Sequence, residues 1–140
     1  MSRNASMPGD DVHRTASVIL VRHNGRPLVH ANLSHCDEAA FLEGLRLAER
    51  TIRGRCQPYC ILWDITGATV TRAVSASAKA LAVLTARQGL STGSATVGVT
   101  GLKRIMARAI KPDMYWARDE SDALAWLTRA DRWLGDARAA

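Results

Sequence analysis

The chain has 140 residues, 47% apolar and 23% charged, which suits one globular domain able to bury roughly two thirds of its unfolded surface. No apolar run approaches the ~18 residues of a membrane span, and residues 1–13 lack the apolar segment of a signal peptide, so a flexible start and a cytoplasmic location are expected. The net charge of +6 comes almost wholly from arginine, placed on predicted helical faces without interleaved aromatics; this predicts solvated surfaces and no nucleic-acid partner.

Cys36, Cys56 and Cys60 have neither disulfide nor zinc spacing and are expected to be reduced thiols, Cys60 in the core. No metal or cofactor is predicted.

In chain order, Thr15–Arg22 and Arg26–Ala31 are strand-like and flank His23-Asn24-Gly25. Asn-Gly at the apex predicts a two-residue hairpin, because both central residues must accept positive φ. Pro27 lacks an N–H and belongs at an edge or outside the ladder. His23 and His30 are expected to be exposed or hydrogen-bonded in the sheet. A helix is predicted from Ser34 to Gly54, capped by Ser34 or Asp37, with Phe41, Leu45, Ala48 and Ile52 along its inner face. The run Tyr59-Cys-Ile-Leu-Trp63 has no polar interruption and predicts a strand covered on both faces, ending at Asp64.

A second helix is predicted over Val70–Gly89, with Val74, Ala78, Leu81, Ala82 and Thr85 along one side and Gly89 as its stop. Ser91–Gly93 is expected to be a short loop, and Ala95–Val99 a buried strand. Thr100 is a candidate cap for a helix reaching about Ile110. Met114–Ala117 is the predicted last strand. Asp119 and Asp122 resemble a capping box before the closing helix, which turns Ala123, Leu124 and Leu127 inward. Residues 136–140 are expected to fray. No internal repeat is evident. The result is an α/β domain over 14–135: a mixed sheet of about five strands, opening with an antiparallel hairpin and flanked by about four helices.

Open α/β sheets place ligands beyond the carboxyl ends of their strands. Asp64, Thr66 and Thr69 end one predicted strand; Thr100, Gly101, Lys103 and Arg104 follow its neighbour, where a helix N-terminus and two cations would favour an anion. A capped helix with solvated charges explains the same residues. The GxxxxGK[ST] spacing of a phosphate loop is absent, as are a nucleophile elbow and a metalloprotease-type histidine pair, so no catalytic residue is assigned.

Three segments resemble the STAS family, the anti-sigma-factor antagonists and the wider SpoIIAA-like proteins. They are Leu62-Trp-Asp-Ile-Thr-Gly67, Thr96-Val-Gly-Val-Thr-Gly-Leu-Lys-Arg104, and Trp116-Ala-Arg-Asp-Glu-Ser-Asp-Ala-Leu-Ala-Trp-Leu127. The resemblance covers roughly residues 15–134. It implies a regulatory domain that binds a protein partner through the second helix, around Ser75, Ser77 and Lys79, or that forms a homodimer. Signalling members carry a phosphorylatable serine at the start of that helix. Aligned from Asp64, the position falls on Ala73, which has no hydroxyl. SpoIIAA-like proteins also resemble lipid-binding folds, which implies the alternative of a module for a small apolar or anionic ligand.

Overall fold

The computed structural model describes residues 15–99 and 114–139, with the side chains of the closing helix described as far as residue 129. Five strands, β1 (Ser17–His23), β2 (Arg26–Asn32), β3 (Tyr59–Asp64), β4 (Ser91–Val97) and β5 (Tyr115–Ala117), form one sheet in that order. β1 and β2 are antiparallel; β2 to β5 are parallel. Asn24 and Gly25 turn the hairpin with φ of 53° and 76°, as the Asn-Gly pair predicts. Pro27 faces Arg22 in the hairpin and precedes the β2–β3 ladder, which starts at Leu28, so its missing N–H costs that ladder nothing.

The described residues hold three helices, α1 (Glu38–Arg53), α2 (Arg72–Gln88) and α3 (Glu120–Ala139). The fourth helix expected from Thr100 to Ile110 lies outside the described residues. α1 and α2 cover one face of the sheet, where Tyr59 and Ile61 of β3 meet Phe41, Leu45, Ile52, Val74 and Leu81. α3 covers the other face, where Cys60 and Leu62 meet Ala123 and Leu127. The uninterrupted apolar run of β3 thus has its physical reason: successive side chains enter two separate cores, and residues 59–62 are all at most 3% exposed.

Several boundaries differ from the sequence reading. α1 begins after Asp37, whose carboxylate accepts from the Ala40 N–H at 2.9 Å; Ser34 instead donates to Asn32 Oδ1 through both its N–H and its hydroxyl. α2 begins after Thr71, whose hydroxyl accepts from the Val74 N–H, and not at Val70. Ser91–Gly93 is not a loop but the start of β4, because Thr92 satisfies its buried hydroxyl on the Tyr59 carbonyl. At α3 the box forms by half. Asp119 accepts from the Asp122 N–H at 2.8 Å, while the Asp122 carboxylate takes the Arg118 N–H and the Tyr115 hydroxyl.

Candidate functional site

At the carboxyl ends of β2, β3 and β4, the connections after β2 and β3 are bonded to each other, and the latter also to the end of β4. Beyond the strands the parallel pairing runs one residue further: the Leu33 N–H donates to the Asp64 carbonyl at 2.8 Å and the Ile65 N–H to the Val97 carbonyl at 3.0 Å. His35 then donates its N–H to the Thr66 carbonyl at 2.7 Å, and Thr69 its N–H to the Cys36 carbonyl at 2.9 Å. The loop after β2 and the loop after β3 are therefore one hydrogen-bonded unit.

The two loops also repeat one local design. Asn32 and Asp64, opposite each other in the β2–β3 register, each accept on Oδ1 from the N–H and hydroxyl two residues on, Ser34 and Thr66 respectively. This is the Asx-turn chemistry that lets a short polar side chain stand in for a backbone turn. The next residue of each, His35 and Gly67, has positive φ, at 58° and 67°. The residue after that, Cys36 or Ala68, is buried and donates its N–H to the carbonyl three residues back. Asn-Leu-Ser-His-Cys and Asp-Ile-Thr-Gly-Ala are thus one motif used twice, and the His35 ring lies against Gly67. Sequence reading singled out the second copy and missed Asn32, Ser34 and His35. The available signal was the Asx-apolar-hydroxyl triplet at the end of both apolar strands.

Of the predicted site residues, Asp64 and Thr66 are in direct contact, with the Thr66 hydroxyl 2.7 Å from Asp64 Oδ1. Thr69 is exposed and anchored through its backbone to Cys36. Ser75 does not join them: its hydroxyl is buried under α2 with no hydrogen-bond partner among the described residues. Thr100, Gly101, Lys103 and Arg104 lie outside the described residues, so an anion site built on them is carried no further. Among the described residues no group of three or more His, Cys, Asp or Glu is placed to hold a metal ion, and no helix is long and apolar enough to cross a membrane. The arrangement is a rigid rim. Asp64 spends one carboxylate oxygen on loop geometry, and the exposed polar groups of the rim adjoin the start of α2.

The outward side of α2 completes this edge. Ala73, Ala76, Ala80 and Val83 are exposed, Val83 at 44%, so the helix shows a low apolar ridge. Its charged residues, Arg72, Lys79 and Arg87, are exposed and all basic, with no acid in the first turn. Arg72 therefore adds to the positive end of the helix dipole and does not offset it.

No protein-family model matches the chain, and no curated protein matches it in sequence. Solved structures match its fold, and two of them are as follows. An anti-sigma-factor antagonist (STAS) domain protein from Planctomyces limnophilus aligns with a TM-score of 0.58 and 10% identity, over 79% of this chain and 97% of that one. An uncharacterised protein with a SpoIIAA-like fold from Shewanella loihica aligns with a TM-score of 0.52 and 19% identity, over 81% of this chain and 94% of that one. These likenesses agree with the mixed sheet, its opening hairpin and the helices on both faces. In fold, the chain is a STAS-like domain of the SpoIIAA-like type.

Proposed function

We propose that this domain acts by binding, without turnover, and that its partner is a protein with an acidic surface seated on α2 and the adjoining rim. The observation that carries the reading is the outward face of α2. It combines an exposed apolar ridge with three cations and no anion, and its N-terminal end adds a positive dipole. A complementary surface must therefore be apolar at its centre and acidic at its border. The similarity in fold to an anti-sigma-factor antagonist domain supports a regulatory role of this kind.

The domain works without the serine switch of signalling relatives. Ala73 stands at the corresponding place, exposed and without a hydroxyl, and the nearby Ser75 hydroxyl is buried. Occupancy of the α2 face is then governed by partner concentration and salt, not by phosphorylation at that position. A photo-crosslinking residue placed at Ala76 in the native cell tests this. It is expected to capture one protein with an acidic surface, and Lys79→Glu is expected to weaken that protein's binding about tenfold or more by setting like charges together. Capture from a control position at Arg46 on α1 but not from Ala76 would move the interface off α2, and the reading would fail.

A further inference from the structure

We infer that the open edge of β1 pairs with β1 of a second copy of this chain, across a two-fold axis at Leu20. This rests on observations separate from those at α2. Among the described residues, β1 ends the sheet and pairs with β2 alone. The two-residue turn makes His23 and Arg26 a hydrogen-bonded pair, and strand alternation then directs the N–H and C=O groups of Val18, Leu20 and Arg22 away from β2. Neighbouring side chains take opposite faces: Val21 packs toward the core beneath α3, and Val18 toward the core beneath α1 and α2. Ile19 and Leu20 are 50% and 46% exposed, so a large apolar group stands on each face of the open edge. Edges of this kind are normally guarded by proline, charge or a bulge. Residues 17–21 carry no proline and no charge, and the β1–β2 register runs seven pairs without a break.

A second copy meets this edge on its own terms. Outward-directed residues must face outward-directed residues, and symmetry about Leu20 overlaps the whole strand. Leu20 then faces its own copy, Ile19 faces Val21 and Val18 faces Arg22, so apolar groups meet on both faces. The two Arg22 positions lie four residues apart along the paired strands, about 14 Å, beyond the ~8 Å screening length at physiological salt. Each guanidinium is also held by its own turn, with Nη1 2.6 Å from the Gly25 carbonyl. One strand pair with these side chains falls below about 1,200 Å² of buried surface, so the association is weak, with a dissociation constant on the order of 10–100 µM. α1 separates β1 from α2, so the dimer leaves both α2 faces open and presents them twice.

Sedimentation and amide hydrogen exchange, run from about 10 µM to about 1 mM chain, bracket that constant and test the pairing. The average mass is expected to rise toward two chains. Exchange at Val18, Leu20 and Arg22 should slow several-fold over the same range, while Ile19 and Val21, already paired to β2, stay constant. Leu20→Lys should remain monomeric at every concentration with an unchanged circular dichroism spectrum, and Ile19→Lys provides the same check on the other face. A wild-type monomer at the top of the range overturns the inference, as does a dimer that persists in both variants. Protection of the three outward amides at every concentration also overturns it, because another segment of the same chain would then occupy the edge.

Discussion

At position 98 a glycine is required by space as much as by backbone angle. Its φ is 90°, and a Cβ there would stand 2.5 Å from both the Cα and the N of Thr66, backbone atoms held in the linked loops. Gly67 differs: its φ is 67°, but a Cβ would meet the ring of His35, an exposed side chain that can swing aside. Gly67→Ala is therefore expected to lose about 1 kcal/mol, and Gly98→Ala about 2–4 kcal/mol, in urea unfolding. Equal losses would mean that the Thr66 loop yields and that the rim is softer than its hydrogen bonds imply. Tyr59 offers a test by pH. Its hydroxyl donates to Gln88 Oε1 at 2.6 Å, and Gln88 passes an N–H to the Ile52 carbonyl at the end of α1. Burial, opposed in part by the charge of Arg55, pushes the phenol up to about 12 from its ordinary 10. A raised value means that the neutral phenol's contribution is whole below pH 10 and is lost between pH 10 and 12. Tyr59→Phe should cost about 1–2 kcal/mol near neutral pH, and its deficit relative to wild type should shrink through that alkaline window.

At the scale of elements, the three described helices and the central strand were legible because their apolar spacing is decided locally. Their starts were not. Ser34 and Asp37 are both able caps, and what chooses between them is remote in sequence. Residues 33–36 are held as a continuation of the parallel pairing by Asp64, Thr66 and Thr69, so α1 cannot begin before Asp37. The polar start of β4 was hidden for a similar reason, since only the Tyr59 carbonyl makes a buried Thr92 acceptable. The first loop motif escaped notice because His35, not glycine, holds its left-handed position. α1 carries its own test at Gly44, which is buried against Ala16, just before β1, and Leu33, just after β2. A Cβ there would run into the Leu33 side chain and lie 2.7 Å from Ala16 Cβ. Helix propensity favours alanine by about 1 kcal/mol, yet Gly44→Ala is expected to destabilise by about 1–3 kcal/mol through overpacking. A stabilised variant would show that α1 can lift away from the strands. At α3 the Asp122 carboxyl is held below the usual carboxylate range, first by the Arg118 N–H. A lowered value means stability present above the ordinary carboxylate range and lost as pH falls through the folded value. Acid titration of wild type should therefore show an acid-induced loss of helical signal that Asp122→Asn lacks.

At the scale of the whole molecule, the sheet divides two cores that share no buried side chain but share the backbones of β2 and β3, with Val29 and Ile61 in one and Leu28 and Leu62 in the other. Ile61 belongs to the core under α1 and α2, Leu62 to the core under α3, and each is 1% exposed. Either substitution to alanine should cost about 2–5 kcal/mol. The finer question is whether damage to one core is felt in the other. If β3 couples them, neither core survives alone, since a sheet stripped on one face exposes the strand that orders the opposite one. Tryptophan placement makes this measurable: Trp63 packs beside the first core and Trp126 beside the second. A variant whose only tryptophan is Trp63 and another whose only one is Trp126 are expected to unfold at the same urea concentration, matching circular dichroism. Adding Leu62→Ala should move both fluorescence midpoints together, although Leu62 touches only the α3 side. An earlier transition at Trp126, with Trp63 still native, would make α3 and its core a separate unit resting on a smaller domain. The α2 face and the rim would then persist after the α3 core had melted, and binding at α2 would outlast the Trp126 signal. Coincident midpoints tie the rim at the end of β3 to both cores at once, which is the condition under which a change of partner at α2 can be felt on the far side of the sheet.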